Sequence, residues 1–507
     1  MSLKMIWVDY CKNGSIHGLR HVIQKDRKPC ERFMWILSVV VASITLVVLL
    51  SASWEKYSYS PMKIVVDDPR YPLAKIDFPA VTICPINKIM YSKALKLVLN
   101  KYSNNADLRT KWSNSLQTLG RIQYPHNTDL YYFTKNKSTI DIPLKDISHL
   151  MFELAPTIDD MFFKCFWRGT MYKCADILRF QRTEEGFCYS FNSKTAERSK
   201  NDSEINPPLA RLDGTLIPLR NNAASKGTGL KVILNDMNEE FFPGDSRRRG
   251  FNVIVHNPEA FPDVSTSYKL HAVHDQINRI SVSVAQVKAD DSLGRLSDHD
   301  RRCFMYESTN GPSSNEDMCY SECRLTTVYK ACNCTQYFFK PFKGIASHCG
   351  IQHVPCLIEN DVIQRNPQAP DNEPGFPKWS VPVSMNCSCP PPCSFITYTT
   401  EIQQEMRHPI NINPSTTLMY KVILEVNYRE LFATSYQRSM KYTTQDLLVS
   451  FGGMASLFLG CSLVSVVEIL YVVYKTLLVL KQNYINFNMN KVNTIKTEKY
   501  QQYPFVY

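Results

Sequence analysis

One acidic residue lies inside an apolar segment near the end of this sequence. Glu468 belongs to the stretch SFGGMASLFLGCSLVSVVEILYVVYK, residues 450–475. A charge in a membrane span costs about 2.5–3.5 kcal/mol on insertion scales, so it normally faces protein or water and marks a functional pathway. On a continuous helix Cys461, Ser465 and Glu468 form one stripe, because they are spaced by four and three residues. This pattern is typical of a helix that lines a water-filled pore.

The small residues near this stripe have two interpretations. In the first, they permit close helix packing within a membrane, and spacing alone favours this interpretation: Gly452, Gly453, Ala455, Ser456 and Gly460. In the second, Gly460, Cys461 and Ser462 unwind the helix where it lines a cavity, which exposes backbone carbonyls to an ion. Two spans per chain cannot enclose a pore, so a channel would need several copies of the chain.

Catalytic motifs are absent from the sequence. It contains no GxSxG, HExxH, GxxxxGK[ST] or strand-to-helix GxGxxG pattern. The pair His271 and His274 lacks a third metal ligand at a recognisable distance, and the closely spaced cysteines between residues 303 and 393 have no histidine at zinc-finger spacing. We therefore expect no enzyme activity, no cofactor and no metal site.

The elements that must position the stripe are two long apolar segments. Residues 33–53 and 447–474 each exceed the roughly 20 residues that a membrane-spanning helix needs. The short tail from Lys475 onward carries five lysines, and the first 32 residues carry seven basic residues: Lys4, Lys12, Arg20, Lys25, Arg27, Lys28 and Arg32. Because basic residues flank spans on the cytoplasmic side, we expect a multi-pass plasma-membrane protein with residues 1–32 and 475–507 in the cytoplasm and residues 54–446 outside.

Cysteine distribution agrees with this topology. Fourteen of the 17 cysteines lie between the two segments, and only Cys11, Cys30 and Cys461 lie elsewhere. Secreted domains oxidise their cysteines, so up to seven disulfides are expected outside. Four Asn-x-Ser/Thr sequons lie in the same region, at Asn136, Asn201, Asn333 and Asn386. The net charge of +11 is explained by the basic tails and a solvated outer domain, so no nucleic-acid partner is expected.

Strand and helix patterns divide the outer region. Extended segments follow the first apolar helix (57–85), a helix is predicted over 88–103, and further strands are predicted over 229–236, 251–257, 279–287 and 420–428. The last of these stands before the second apolar segment, so a sheet could couple the outer domain mechanically to the membrane helices. Ten cysteines between residues 303 and 393 indicate a subdomain stapled by disulfides because its own apolar core is thin.

Several motifs together resemble the degenerin and epithelial sodium channel family. LLVSFGGMASLFLGCSLVSVVEIL (447–470) is similar to the second membrane helix of that family, with its Gly-x-Ser selectivity element at Gly460, Cys461 and Ser462. SIHGLRHV holds the family's cytoplasmic His-Gly pair at His17 and Gly18. Further motifs keep their order along the chain: DFPAVTICP, CFWRGTMYKCADIL, GFCYSFN, CYSECR, CNC and CSCPPPC. The cysteine pattern looks most like the insect pickpocket branch.

The resemblance implies a fold class and a function. The fold is an α+β membrane protein with two transmembrane helices and a large disulfide-rich ectodomain of palm, finger, thumb, knuckle and ball, as in acid-sensing and epithelial sodium channels. The function is a trimeric, amiloride-sensitive, Na⁺-selective channel in the lipid bilayer, formed by copies of this chain or with related subunits. The implied disulfides are Cys84–Cys188, Cys165–Cys174, Cys303–Cys393, Cys319–Cys389, Cys323–Cys387, Cys332–Cys356 and Cys334–Cys349.

The resemblance also assigns roles within the membrane region. Gly460, Cys461, Ser462, Ser465 and Glu468 would form the filter and pore, while His17, Gly18, Val449 and Ser450 would take part in gating. An aspartate stands at the position of Ser450 in acid-responsive members, which argues against proton gating. Val449 replaces a small residue, and bulk at that position favours open states.

Two rival classes share this topology. A two-span scavenger or adhesion receptor needs only inert anchors, so neither Glu468 nor the Gly460–Ser462 element would have a role in it. A trimeric nucleotide-gated channel would need a basic cradle outside, for which SRRRG (246–250) is the candidate. The gating stimulus is not encoded in any recognisable motif.

Overall fold

The structure is a computed structural model of the whole chain. It describes residues 3–24, 26–59, 62–102, 104–122, 130, 138–140, 142, 147–197, 218–264, 268–271, 276–305, 316–339, 347–366, 384–385, 387–406 and 421–500. The chain divides into two compact units. The terminal unit comprises Met1–Lys63 and Ser439–Tyr507, and the central unit comprises Ile64–Arg438.

Helices and strands are numbered here in chain order. The helices are α1 Leu3–Asn13, α2 Leu19–Ile23, α3 Pro29–Tyr59, α4 Tyr91–Lys101, α5 Ala106–Leu119, α6 Ile147–Leu154, α7 Ile158–Met161, α8 Cys174–Ile177, α9 Asp298–Arg301, α10 Glu316–Cys332, α11 Val354–Glu359, α12 Asp361–Arg365, α13 Thr444–Leu459 and α14 Leu463–Tyr500. The strands are β1 Met62–Pro72, β2 Ala80–Pro85, β3 Phe162–Trp167, β4 Thr170–Tyr172, β5 Leu178–Thr183, β6 Gly186–Phe191, β7 Leu230–Asn235, β8 Gly250–His256, β9 Tyr268–His271, β10 Gln276–Ala289, β11 Phe395–Met406, β12 Lys421–Tyr428 and β13 Phe432–Met440.

Strand β10 organises the larger sheet of the central unit. One edge of β10 pairs antiparallel with the whole of β11, from Gln276 opposite Met406 to Val287 opposite Phe395. Its other edge pairs in parallel first with β12 and then with β13. The remaining strands extend the sheet in the order β1-β13-β10-β12-β7-β3-β4. Because β10 is fourteen residues long, one of its edges can pair with both β12 and β13.

A smaller antiparallel sheet shares a hydrophobic core with the larger sheet. Its strand order is β5-β6-β2-β8-β9, and all six residues of the central strand β2 are buried. The shared core contains an aromatic group in which the Phe78 ring lies 4.8 Å from Trp167 and 5.1 Å from Tyr428. The Tyr428 hydroxyl donates to the Asp77 carbonyl at 3.0 Å, so this large side chain is buried without an unsatisfied polar atom.

A second core joins α4, α5 and α6 to the cysteine-dense region. Leu116, Met151, Tyr337 and Leu357 are all buried in this cluster. The cysteine-dense region therefore shares a core with neighbouring helices, and it does not depend on disulfides alone, as its composition had suggested. Seven disulfides are formed in the central unit, and they are the seven pairs that the family resemblance implies: Cys84–Cys188, Cys165–Cys174, Cys303–Cys393, Cys319–Cys389, Cys323–Cys387, Cys332–Cys356 and Cys334–Cys349.

Most of the predicted elements are present. The helix predicted over 88–103 is α4, and the strands predicted over 229–236, 251–257 and 279–287 are β7, β8 and β10. The strand predicted over 420–428 is β12, but it is not the last strand. The strand β13 follows it, and its half-buried polar sequence FATSYQRSM has no strong apolar alternation.

Among the residues that the structure describes, two helices are long and apolar enough to cross a membrane, and they differ in extent from the predicted segments. They are Pro29–Ser58 and Leu463–Ile485. Within the segment predicted over 447–474, the helix is interrupted at residues 460–462. Of the four sequons, Asn333 is exposed. Asn136, Asn201 and Asn386 lie outside the described residues.

A buried lysine lies where β2 leads toward α4. Lys88 Nζ is 3.5 Å from Glu185 Oε2, and both side chains are less than a tenth exposed. Desolvation is the largest influence and lowers the pKa of Lys88 from 10.5 to about 8, although the charge of Glu185 opposes this shift. The charge of Arg247 also lowers the pKa of Lys88.

This lysine predicts how stability depends on pH. Between pH 8 and 10.5 the unfolded chain keeps the Lys88 proton while the folded chain releases it, so the unfolded state binds more protons. The contribution of Lys88 to the free energy of unfolding therefore rises from pH 8 to 10.5 and is lost as the pH falls back through about 8. We expect thermal unfolding of the full-length protein from pH 7.5 to 9.5 to show this rise, and a Lys88→Met variant to lack it. Parallel slopes for the two proteins would contradict the assignment.

Candidate functional site

The second apolar segment contains a helix break that its own sequence specifies. Helix α13 ends at Leu459, and Gly460 adopts the left-handed conformation with φ 65° and ψ 20°. The N–H groups of Gly460 and Cys461 donate to the carbonyls of Ser456 and Ala455, at 2.9 and 3.3 Å. The first of these bonds is that of the αL motif, which ends helices at a left-handed glycine. The chain is therefore unwound at residues 460–462, which is the backbone geometry that the second interpretation of the small residues requires.

Helix α14 restarts directly after the break. The Ser465 N–H donates to Ser462 Oγ at 3.3 Å, and the Ser462 N–H donates to Ser465 Oγ at 3.0 Å. This reciprocal arrangement is a capping box with serine at both positions. Gly460 thus closes one helix and Ser462 opens the next, which leaves Cys461 between them, half-buried and with a free thiol.

The N-terminal segment returns to this break. Helix α1 packs on α14, and α2 packs on α3. Between α1 and α2 the chain turns, and the His17 N–H donates to the Leu459 carbonyl at 3.0 Å. The last carbonyl of α13 is thereby satisfied from a segment more than 400 residues distant in the sequence.

Two glycines allow this close approach. A Cβ atom on Gly460 would lie 2.3 Å from Nδ1 of His17. Gly18 has φ 89°, and its Cβ would lie 2.7 Å from Cγ2 of Val39 on α3. Both positions require a positive φ and have no space for a side chain. The structure thus places the His17–Gly18 pair directly against the break.

Glu468 is bound by a residue that the sequence analysis did not single out. Its Oε2 accepts from the Ser15 hydroxyl at 2.9 Å and from the Ser15 N–H at 3.2 Å. Ser15 Oγ also lies 2.6 Å from Ser465 Oγ, and Ser465 is fully buried. The stripe of Ser465 and Glu468 therefore faces the N-terminal segment of the same chain, whereas the continuous-helix interpretation had placed it on an open wall. A serine in a polar tail carries no spacing signal that could have predicted this contact.

Other predicted residues stand apart from the break. Val449 on α13 is 73% exposed, and Ser450 beside it is also exposed. Neither side chain makes a hydrogen bond or core contact within the described residues. Both are therefore available on the helix surface for a partner outside the chain.

The candidate nucleotide cradle SRRRG is engaged in structural contacts. Arg247 forms a bidentate ion pair with the buried carboxylate of Asp245 and also donates to the Gly120 carbonyl at 3.2 Å. The guanidinium of Arg249 lies 3.8 Å above the Phe241 ring. Of the three arginines in this segment, only Arg248 is exposed. No group of three or more metal-ligand side chains occurs among the described residues.

Comparison with known proteins gives a consistent result. The family model described as "Amiloride-sensitive sodium channel" matches residues 10–472. The chain is 25% identical to "Sodium channel protein Nach" of Drosophila ananassae, over 96% of this chain and 89% of that protein. It is 26% identical to "Pickpocket protein 19" of Drosophila melanogaster, over 91% of this chain and 89% of that protein. It is 24% identical to "Bile acid-sensitive ion channel" of Rattus norvegicus, over 91% of this chain and 86% of that protein.

Proposed function

This chain belongs to the amiloride-sensitive sodium channel family, and from that premise we propose that it forms a trimeric, Na⁺-selective, amiloride-blocked channel of the plasma membrane. It is a subunit of a sodium-channel family and not an enzyme. The observation that carries the proposal is the helix break at Gly460–Ser462. An inert anchor gains nothing from an interrupted membrane helix, since irregular backbone at membrane depth is tolerated only where it is buried in protein or lines a water-filled cavity.

The proposed ion path uses the break as its narrow point. Three copies of residues 460–462 would surround the axis and present carbonyls and small side chains to a partly dehydrated Na⁺. Three copies of Glu468 would supply negative charge below them, which favours cations over anions. The contacts of Ser15 and His17 support a further role for the N-terminal segment, because they hold the break and the glutamate in one arrangement.

Gating is proposed to reach the membrane through the larger sheet. Strands β1 and β13 are neighbours in that sheet. In the sequence α3 leads into β1, and β13 leads into α13. A displacement of these strands would therefore act on both membrane helices. In this proposal the two sheets, the α4–α6 helices and the cysteine-dense region form the palm, finger, thumb, knuckle and ball of an extracellular domain, and both chain ends are cytoplasmic.

Expression of the chain alone in oocytes tests the proposed function. We expect an inward current that disappears when Na⁺ is replaced by a large organic cation and that is blocked by amiloride. The mass of the purified complex should correspond to three copies. If current appears only with a sister subunit, the assembly is heteromeric. A monomeric protein that carries no current with any related subunit would favour the scavenger or adhesion receptor.

Cys461 provides a probe of the proposed filter. Its thiol is free and half-buried between the two helices. We expect a small, charged thiol reagent to react there and to reduce Na⁺ current by most of its amplitude. The matched control is Cys461→Ser, which should conduct and resist the reagent. An unmodified Cys461 in a conducting channel would place this side chain away from the lumen.

Val449 is expected to set resting activity. Its side chain is 73% exposed on α13 and makes no core contact within the described part of the chain, so its bulk would act on a neighbouring subunit. We expect Val449→Gly to reduce the resting Na⁺ current at equal surface expression. Leu448→Ala, at an exposed position one residue away, is the control. An equal or larger basal current in the glycine variant would refute the assignment.

A further inference from the structure

A groove in the central unit lies between helices α4 and α5. It has a volume of about 360 Å³, which falls within the range of about 300–1,000 Å³ typical of small-molecule sites. One wall is formed by α4, the other by α5, and one end by Phe242. The lining residues are spaced by three and four positions on both helices, so each helix presents one face to the groove: Tyr91, Ala94, Leu95, Val98 and Leu99 on α4, and Ala106, Arg109, Thr110, Ser113 and Asn114 on α5.

The α4 wall is apolar, and the protein core covers only part of it. Ala94 and Val98 are buried at its base, whereas Leu95 and Leu99 remain 41% and 40% exposed. These two leucines lie one turn apart, and from Tyr91 to Leu99 the wall extends about 12 Å along the helix axis. A continuous apolar strip inside a concave surface fits an alkyl chain better than it fits water.

The α5 wall is polar and carries a single charge. Arg109 and Ser113 lie one turn apart on the groove face, and Arg109 is the only charged residue among the described residues that line the groove. Neighbouring carboxylates are engaged elsewhere. Asp107 pairs with Lys111 at 2.7 Å, and Glu240 accepts from the Ser92 hydroxyl at 2.7 Å. Among the described residues, no carboxylate neutralises the guanidinium of Arg109.

We propose that this groove binds an amphipathic carboxylate with a medium-length alkyl chain. The carboxylate binds the Arg109 guanidinium, whose planar donors match two carboxylate oxygens, and the chain lies along Leu95 and Leu99. The proposal goes beyond the channel function, since it assigns a ligand class to the outer domain and does not depend on ion conduction.

Photo-crosslinking of the full-length protein in cell membranes tests this site. The probe is decanoate with a diazirine at its terminal carbon, which would place the reactive group at the apolar wall. We expect labelled peptides within residues 91–114. Decanoate should compete, and decanol should compete at least about tenfold more weakly, because it lacks the charge that Arg109 binds.

Substitutions separate this site from general partition into lipid. Arg109→Gln should weaken the apparent affinity about tenfold, and Leu99→Gln should weaken competition by decanoate as well. Arg248→Gln, at an exposed arginine outside the groove, should leave labelling unchanged. Surface expression of each variant reports folding. The proposal is overturned if labelling is confined to α3 and α14, if decanol competes as well as decanoate, or if residues 91–114 crosslink to a second copy of the chain instead of the probe.

Discussion

Gly460→Ala is expected to reduce Na⁺ current to roughly one tenth or less of the wild-type value, at equal surface expression. The left-handed conformation at this position costs a residue with a Cβ about 1–2 kcal/mol, and alanine also favours a continuous helix by about 1 kcal/mol. Its Cβ would overlap the ring of His17, whose backbone N–H is held by the Leu459 carbonyl. All three effects disfavour the break, and a change of about 1.4 kcal/mol already corresponds to a tenfold shift in population.

A glycine in the same apolar segment provides the matched control. Gly452 lies within α13, and a Cβ there would meet no atom of the described chain within 4 Å. Gly452→Ala should therefore conduct at close to the wild-type level. The measurement is two-electrode recording of Na⁺ current normalised to surface-biotinylated protein, with reversal potentials to report Na⁺ over K⁺ preference. Normal, Na⁺-selective current in Gly460→Ala would show that conduction does not require the break.

Glu468→Lys is expected to abolish cation current, and the loss should exceed that in Glu468→Gln. The carboxylate accepts two hydrogen bonds from Ser15, and lysine has no acceptor to replace it. Lysine also replaces the proposed ring of negative charge with positive charge, whereas glutamine keeps an acceptor oxygen. We expect Glu468→Gln to retain a measurable current with weaker discrimination between cations and anions.

Ser15 distinguishes the structural role of Glu468 from its charge. A hydrogen bond to a charged group contributes about 1.5–3 kcal/mol, so Ser15→Ala should reduce current by roughly tenfold, while Ser15→Thr keeps the hydroxyl and should restore it. In the double variant with Glu468→Gln, the serine substitution should have a much smaller effect, because the two residues act on one interaction. Ser51→Ala is the control, since within the described part of the chain the Ser51 hydroxyl donates to the Val48 carbonyl of its own helix α3. Additive effects of the Ser15 and Glu468 substitutions would mean that their contact is unimportant for conduction.

The sequence by itself determined the features that rest on local chemistry. Apolar length predicted the two membrane segments, and alternation predicted β7, β8, β10 and β12. The partition of the cysteines indicated which part of the chain would form disulfides. Even the helix break was available locally, since Gly460 is a helix terminator and Ser462 a helix initiator two residues later. Spacing alone favoured close packing. It could not establish unwinding, because both interpretations use the same small residues.

Only the tertiary structure decided which residues lie against the helix break and against Glu468. Ser15 and Glu468 are separated by 453 positions, so no periodicity within either segment encodes their hydrogen bond. The same holds for β13, whose polar strand is fixed by parallel pairing with β10, and for the groove that places Arg109 opposite Leu95 and Leu99. Local propensity specifies which elements form, because it depends on neighbours along the chain. Contacts between distant elements depend on which buried surfaces fit together, and that fit is settled only when the chain is packed.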